Sequence, residues 1–270
     1  MSSDVAPTGI PWRTRSCSLL GVGRKTVPSL AFTIAARIIR QLIRDRRTIV
    51  LIIAVPLVVM TLIGLSFPEG QVLDYIAPAL LATLALFFSF LLTGISFLRE
   101  RSQGTMERLM ASPVSRLDIV LGYLFGFFLF ALTQTLIIVL FTIYVLDVHY
   151  SGDLWQIFVF QVVVIAGAVN LGIFISTFAR NEFQMVQFIP LILFPQIFLC
   201  GVIWPVEQMP EYLQWLARFL PLKYGVDGLR DIMLLGKSLA DVALEMLVLA
   251  GFAVATSILA ALTLRRGTGG

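Results

Sequence analysis

Six long runs of apolar residues dominate the chain and decide what it can fold into. Each run is about 20 residues or longer, the length that an α-helix needs to cross the hydrocarbon core of a bilayer. Backbone N–H and C=O groups must be paired inside lipid, so we expect these runs to be helices. The sequence therefore predicts an all-α polytopic membrane protein with six transmembrane helices, at residues 48–67, 75–98, 119–146, 154–178, 183–203 and 242–264.

The overall composition agrees with a membrane protein. Of the 270 residues, 58% are hydrophobic and only 13% are charged, whereas soluble domains carry about 25% charged residues. The first 30 residues hold several cations without the apolar core of a signal peptide, so we expect none there. The two cysteines, Cys17 and Cys200, are too few for a disulfide framework or a metal site.

The positive charges predict how the helices are oriented. Lys and Arg gather before the first run, between the second and third, between the fourth and fifth, and after the last, while residues 68–74 and 147–153 contain none. Because positive loops stay in the cytoplasm, both termini are predicted to be cytoplasmic. The residues on that side are Arg13, Arg15, Arg24, Lys25, Arg37, Arg40, Arg44, Arg46, Arg47, Arg99, Arg101, Arg108, Arg116, Arg180, Arg265 and Arg266.

Residues 29–47 have the pattern of an amphipathic helix. Four arginines recur at spacings of three and four and share one face, and an apolar face lies opposite. Such a helix beside the first span is expected to lie in the headgroup plane as an anchor; the alternative is that it docks a partner or acts as a gate. The arginines are Arg37, Arg40, Arg44 and Arg47, and the apolar residues are Ile34, Ala35, Ile38, Ile39 and Leu42.

The predicted domain organisation follows from these segments. It comprises a cytoplasmic tail (1–28), the interfacial amphipathic helix (29–47), a six-span transmembrane domain (48–264) and a short cytoplasmic tail (265–270). The outer connection at 204–241 is longer than the other two and contains an apolar stripe. The stripe predicts a short helix that lies on the outer leaflet or dips into it as a re-entrant element. It consists of Tyr212, Leu213, Trp215, Leu216, Phe219 and Leu220.

The sequence argues against a catalytic centre. Acids and bases are missing from the first five runs, and the only histidine is His149, so an H-E-x-x-H zinc site cannot form. Gly236-Lys237-Ser238 ends like a phosphate loop, but Asp231 stands where its first glycine should be. We expect no enzyme activity, metal or cofactor in this chain, and if ATP drives it, a separate subunit must bind the nucleotide.

Polar side chains inside the runs leave two interpretations open. Hydrogen bonds between membrane helices contribute about 1 kcal/mol each, so these residues can simply join helices. The alternative is that they line a substrate path. The candidates are Gln134, Asn170 and Gln187.

A short charged insert, FLRERSQGTMERLMASP at 97–113, interrupts the apolar runs. Thr105 can cap a helix that starts at Met106, and Glu107 then lies in the first turn, where the helix dipole favours an anion. Pro113 ends this turn before the third run begins. A helix this short is unstable alone, so it must rest on the membrane surface or on a partner.

The insert resembles the signature of type-2 ABC transporter permeases, the membrane subunits of bacterial drug, antibiotic and polysaccharide exporters, including the daunorubicin-resistance type. The matching run is Arg99-Glu100-Arg101-x-x-Gly104-Thr105-x-Glu107-x-Leu109, and 221–230 is similar to the family's pattern before the last span. In that family, the insert between spans two and three is a cytoplasmic coupling helix that docks on the ATPase subunit. The resemblance assigns docking here to Glu100, Arg101, Gly104, Thr105, Glu107 and Leu109.

The resemblance also implies a function. The chain would be the permease subunit of an ABC exporter in the bacterial plasma (inner) membrane, working as a homo- or heterodimer with two cytosolic ATPase subunits that hold ATP and Mg²⁺. It would move a hydrophobic or amphipathic substrate outward. The alternatives are a lipid-linked polysaccharide exporter of the same architecture, an ion-driven carrier or channel that needs no ATPase, and a membrane enzyme acting on lipid head groups.

Overall fold

The computed structural model describes residues 27–67, 70–104, 116–202 and 205–266. Within these ranges the chain is helical, and no strand occurs. Within the same ranges a single 3₁₀ turn covers Val206–Gln208. The helices are α1 (Val27–Arg44), α2 (Arg46–Ser66), α3 (Gly70–Ser102), α4 (Arg116–Tyr144), α5 (Leu154–Ser176), α6 (Glu182–Leu199), α7 (Glu211–Ala217), α8 (Pro221–Leu235) and α9 (Ala243–Arg266).

Six of these helices are long and apolar enough to span a bilayer, which confirms the predicted fold class. They are α2, α3, α4, α5, α6 and α9. Helix α3 differs from the prediction at both ends: it starts five residues earlier and runs four residues past the expected end, so that its last turn includes Arg99, Glu100 and Arg101. The hydropathy pattern marks where the apolar run stops, whereas arginine and glutamate are good helix formers and prolong the helix beyond it.

The N-terminal helix is shorter than predicted, and its apolar face is covered by protein. It stops before Asp45, whose carboxylate caps α2 by accepting the Thr48 N–H at 3.3 Å and the Thr48 hydroxyl at 2.6 Å. Arg47 therefore belongs to α2 and does not continue the face of α1. Ile38 is buried against α4, where a Cβ on Gly126 would lie only 3.1 Å from the Ile38 Cβ. The face that we expected to enter the headgroup region thus packs on another helix.

The centre of the bundle is α3. Of the residues in its apolar segment, 83% are buried. The corresponding share is 17% in α2 and α6 and 22% in α9, so α2, α6 and α9 form the periphery of the bundle. The contact between α3 and α5 is close because glycines meet there: a Cβ on Gly172 would lie 2.8 Å from the Phe90 carbonyl and 3.2 Å from the Gly94 nitrogen. Small residues at such crossings let membrane helices approach closely.

The element between α6 and α9 enters the bundle through α8. Gly225 of α8 faces Ala82 of α3 and Val164 of α5, at 3.7 and 3.6 Å from an added Cβ. Ala82 is ten residues from the start of its span and Val164 ten from the start of its own, which places both about 15 Å along their helices. Because the hydrocarbon core is about 30 Å thick, α8 begins near mid-height.

The apolar stripe predicted in the outer connection, at 212–220, does not lie on the buried helix α8. It falls on α7 and the turn after it, where Tyr212, Trp215 and Phe219 are exposed, while Leu213 and Leu220 pack against a small cluster around Ala217. Hydrophobic patterning therefore located a helix between the fifth and sixth spans. It did not identify α8 as the deeply packed one, because α8 carries four charged residues among its apolar ones.

The loops at this end of the bundle are joined by hydrogen bonds. Ser151 donates its N–H to the Met233 carbonyl at 2.7 Å, which ties the loop before α5 to the end of α8. Before α9, the Asp241 carboxylate accepts the N–H and hydroxyl of Ser238 at 2.9 and 2.7 Å. These two bonds lower the pKa of Asp241 below its ordinary value, so the carboxylate stays ionised and caps this turn to a lower pH than an ordinary aspartate would.

The glycine crossing between α3 and α5 predicts a strong position effect. Replacing Gly172 by Ala should lower the free energy of unfolding by about 1–3 kcal/mol, because the new methyl group would overpack against backbone atoms. The matched control is Gly251→Ala in α9, where no described atom lies within 4 Å of the added Cβ. Thermal unfolding of the detergent-purified protein measures both, and equal stability of the two variants would contradict this packing.

Candidate functional site at the charged end of α3

Three consecutive charged residues, Arg99, Glu100 and Arg101, end α3. Successive residues on an α-helix point about 100° apart, so these side chains face three different neighbours. Arginines in the last turn also interact favourably with the helix dipole. The chain leaves the helix at Gly104, which has a φ of +66° and donates its N–H to the Arg101 carbonyl at 3.2 Å. Glycine adopts this left-handed conformation without strain.

The Glu100 carboxylate lies inside the bundle and is 5% exposed. One of its oxygens, Oε2, accepts two hydrogen bonds: from Nη2 of Arg37 on α1 at 3.0 Å and from the Tyr123 hydroxyl on α4 at 2.8 Å. A single carboxylate oxygen thereby joins three helices. Bonds to an ionised acceptor are stronger than neutral ones, so this contact is a firm link between α1, α3 and α4.

The surroundings explain why a charge can be buried here. Burying a carboxylate is unfavourable unless it is paired and hydrogen-bonded, and Glu100 has both kinds of partner. The Arg37 side chain remains 39% exposed, so its cation keeps contact with the surroundings. The Tyr123 ring is fully buried and is held edge-on by Phe97 at 5.6 Å, and it lies 6.1 Å from Phe127. The hydroxyl is therefore aimed at Glu100 by packing.

Arg99 contacts two other segments. Its Nε and Nη2 donate to the two carboxylate oxygens of Glu182 at 2.9 and 3.1 Å, and Nη1 lies 3.9 Å from Oδ2 of Asp45. Glu182 is the first residue of α6, and Asp45 separates α1 from α2. Both pairs are about half exposed, and ion pairs of that kind contribute only about 0–1 kcal/mol each. They orient the helix ends more than they stabilise them.

Arg101 completes the set. Its Nη1 donates to the Thr177 carbonyl at 3.1 Å, at the C-terminal cap of α5. A cation at this position satisfies a carbonyl that has no partner within its own helix. We call Arg99, Glu100 and Arg101 the α3 hub. Through it, the end of α3 contacts α1, α4, the start of α6, the end of α5 and the junction before α2.

A cavity of about 370 Å³ lies next to the α3 hub, between α1, α2, α3 and α4. Its wall is mainly apolar and includes Ile38, Leu91 and Phe127. The polar residues on the wall are Gln41, Asp45, Thr48, Ser96, Arg99, Glu100 and Glu182. Within the described ranges no cluster of His, Cys, Asp or Glu could hold a metal ion. The arrangement is suited to linking helices and to enclosing a small polar group beside an apolar one.

The predicted docking residues fall into three groups. Arg101 is exposed in the last turn of α3 and Gly104 follows that helix, partly exposed, whereas Glu100 points inward. Thr105, Glu107 and Leu109 lie outside the described residues. On α1, Arg40 and Arg44 are exposed and Arg37 binds Glu100. The structure thus brings one predicted anchor residue, Arg37, into direct contact with one predicted docking residue, Glu100.

The polar residues of the spans occupy different environments. Gln134 is buried and donates to the Ile52 carbonyl of α2 at 3.3 Å. Asn170 accepts the hydroxyl of Ser257 at 2.6 Å, which joins α5 to α9. Gln187 is exposed on α6. Gln134 and Asn170 therefore make contacts between helices, and Gln187 lies on the surface of the chain.

Sequence reasoning missed several functional candidates. Tyr123 sits in an apolar run and gives no periodic signal, so only the packing of α4 against α3 reveals it. Glu182 was placed in a connection, although its position directly after Asn181 is typical of a capped helix start. Lys223, Asp227 and Arg230 lie within the 221–230 pattern, and their spacings of four and three are a sequence signal that places them on one helix face.

The Tyr123 hydroxyl provides a test of the hub. Replacing Tyr123 by Phe removes one hydrogen bond to a buried carboxylate and should lower the free energy of unfolding by about 1.5–3 kcal/mol. The control is Tyr144→Phe on the same helix, a side chain that is 72% exposed, and it should change stability by less than about 0.5 kcal/mol. Unfolding in detergent micelles measures the difference; indistinguishable variants would mean that the bond to Glu100 is not formed.

Comparison with known proteins gives a match to one transporter family and to several of its members. The family described as "ABC-2 type transporter" matches residues 29–234, from α1 through α8. The relative described as "ABC transporter G family member 20" of Dictyostelium discoideum is 28% identical over 172 residues, 64% of this chain and 24% of that protein. "Probable multidrug ABC transporter permease YbhS" of Escherichia coli (strain K12) is 26% identical over 163 residues, 60% of this chain and 43% of that protein.

A third relative is "Linearmycin resistance permease protein LnrN" of Bacillus subtilis (strain 168), 28% identical over 147 residues, which cover 54% of this chain and 38% of that protein. The alignments thus span less than half of the length of each of these three relatives. The family match, in contrast, covers well over half of this chain. The chain therefore belongs to the ABC-2 type transporter family and is a multi-pass membrane protein.

Proposed function

We propose that this protein is the membrane-spanning permease subunit of an ATP-driven exporter that moves a hydrophobic or amphipathic substrate outward. The observation that carries the proposal is the family match over residues 29–234, which includes both the α3 hub and α8. Two relatives are described as multidrug and linearmycin resistance permeases, which favours export of substrates that partition into membranes.

The charge distribution supports an orientation. The end of the bundle with the α3 hub carries most of the arginines, and the loop at 147–153 at the opposite end has none. Under the positive-inside rule the hub end faces the cytoplasm, and both termini lie there. The protein then resides in the plasma membrane, the inner membrane in a bacterium with two, and α7 and α8 belong to its outer half.

The energy source is a separate subunit. The family match and the relatives described as permeases favour a cytosolic ATPase that binds ATP and Mg²⁺ and docks on the insert after α3. Docking involves Arg101, Gly104, Thr105, Glu107 and Leu109. Glu100 acts from inside the bundle, because its carboxylate holds α1 and α4 to the helix that carries the insert.

The contacts of the hub support a route for motion. When the ATPase moves the insert, the force reaches the last turn of α3, which is bonded to α1, α4, α5 and α6. Packed helix ends linked by charged hydrogen bonds shift together, since packed interfaces do not deform continuously. These helix ends therefore move as one unit when ATP binds.

Two permease subunits complete the transporter. Single-chain burial is low in α2, α6 and α9, so these helices present their faces to lipid or to a second permease subunit. In a single chain α3 fills the centre of the bundle. The path for the substrate is therefore formed between two subunits. The second subunit is another copy of this chain or a related one.

Charge reversal in the insert tests docking. Glu107→Lys should weaken binding to the partner ATPase at least about tenfold, because like charges at an interface are strongly unfavourable, and ATP-driven transport should fall in parallel. The matched control is Glu211→Lys in the first turn of α7, at the opposite end of the bundle, which should leave binding unchanged. Co-purification and transport-stimulated ATPase activity in proteoliposomes measure both effects.

A triple variant provides the result that would contradict docking by the insert. If Arg101, Glu107 and Leu109 are all replaced by Ala and the folded protein still binds the ATPase and couples hydrolysis to transport as before, the insert is not the docking element.

A further inference from the structure

Helix α8 carries a charged face that the proposed docking does not use. Lys223, Asp227 and Arg230 are spaced by four and three residues, so they lie on one side of the helix. We call these three residues the α8 charged face. The other side is buried in the bundle and consists of Leu222, Gly225, Val226, Leu229 and Met233.

This face reaches deep into the membrane domain. Gly225 lies at the height of Ala82 and Val164, about 15 Å from the outer ends of α3 and α5, and Lys223 precedes it on the inner side. At the other end, the Arg230 guanidinium lies 4.4 Å from the Tyr75 ring centroid. Tyr75 is three residues from the start of its span, or about 5 Å. The α8 charged face thus extends from mid-height almost to the outer surface.

The single chain leaves these charges partly open. Lys223 Nζ lies 2.6 Å from the Asp227 carboxylate, yet 22% and 36% of the two side chains remain exposed. Arg230 donates to the Gly201 carbonyl at 2.9 Å, and within the described ranges its contacts include no carboxylate. Its Nε has no hydrogen-bond partner there. Within the described residues the face therefore has one ion pair, Lys223–Asp227, and one cation, Arg230, that forms no ion pair within 4 Å.

Lipid is an unfavourable surrounding for such a face. Ionisable residues at membrane depth nearly always face a bundle interior or a water-filled cavity. A two-fold axis along the membrane normal would bring equivalent residues of two copies to the same height, with Lys223 opposite Lys223 and Arg230 opposite Arg230. Like charges oppose direct contact across the axis, which favours water between them.

We propose that the α8 charged face lines a water-filled outer half of the transport path and binds the anionic phosphate or carboxylate group of an amphipathic molecule. Arg230 is the main ligand because, unlike Lys223, it forms no close ion pair with a carboxylate in the described residues, and Lys223 supplies a second cation when it exchanges Asp227 for the ligand. This inference rests on the proposed exporter with two permease subunits. It adds a chemical class, acidic amphipaths, to that function.

Cysteine labelling tests the water-filled path. In the complex with the partner ATPase, reconstituted in phosphatidylcholine vesicles and carrying Cys17→Ser and Cys200→Ala, single cysteines are introduced as Asp227→Cys and, as a control, Leu247→Cys. Leu247 is 71% exposed on α9 and lies near the same end of the bundle. Only thiols in water ionise and react rapidly, so outside methanethiosulfonate reagents should label Asp227→Cys at least about tenfold faster.

The charge of the reagent tests the anion site. A sulfonate reagent should be favoured over an ammonium reagent at Asp227→Cys, relative to His149→Cys in the outer loop, because a positive site concentrates anions at least about tenfold. Adding Arg230→Gln should remove most of this preference, while the control Arg218→Gln should preserve it. Dodecyl phosphate should protect Asp227→Cys from labelling, and uncharged dodecyl maltoside should not.

The source of the anion is distinguished by vesicle composition. If phosphatidylglycerol vesicles alone already block labelling, the ligand is a membrane lipid. If only added dodecyl phosphate protects the cysteine, the site serves a mobile amphipath. Both outcomes support the anion site. Equal labelling of Asp227→Cys and Leu247→Cys, or a reagent preference that Arg230→Gln leaves intact, would overturn the proposal. Labelling needs no transport, so a complex without ATP-driven transport counts against the exporter function and not against the site.

Discussion

The bond between the buried Glu100 carboxylate and its two donors is the contact on which the arrangement of the hub end depends. A charge buried at a helix end is stable only while its partners stay in place, so Arg37 and Tyr123 fix α1 and α4 against α3. The amphipathic N-terminal helix consequently packs on protein through residues such as Ile38. Arg99 and Arg101 extend the same frame to α6 and α5, and the insert after α3 leaves from a fixed position.

Helix α3 connects the α3 hub with the helix that carries the α8 charged face. Near mid-height α3 packs on α8 through Ala82, and at the end that we propose to be cytoplasmic it carries Glu100. These residues are 18 positions apart in one helix, or about 27 Å. The hub receives the movement of the ATPase in our proposal, and the α8 charged face meets the departing substrate. A continuous and largely buried helix between them provides a direct mechanical link without a chain of intermediate side chains.

Hydrophobic runs predicted the six membrane helices and the position of the insert, because span length and charge placement are properties of local sequence. The charged pattern at 99–109 also pointed to the end of α3. What could not be predicted depends on packing between distant segments. The inward direction of Glu100 is determined by Tyr123 and Arg37, and the break at Asp45 by a local cap that competes with a continuous amphipathic pattern. The depth of α8 depends on glycines such as Gly225 that admit close approach to α3 and α5.

The central claim is that the helix ends joined by the α3 hub move as one unit when ATP binds to the partner subunit. Spin labels at Arg44 on α1 and Phe183 on α6, both exposed, measure this by electron paramagnetic resonance in the reconstituted complex. The account predicts that the distance within one chain stays constant on adding ATP, while the Arg44–Arg44 distance between the two permease subunits changes. A change within one chain as large as that between the subunits would contradict it.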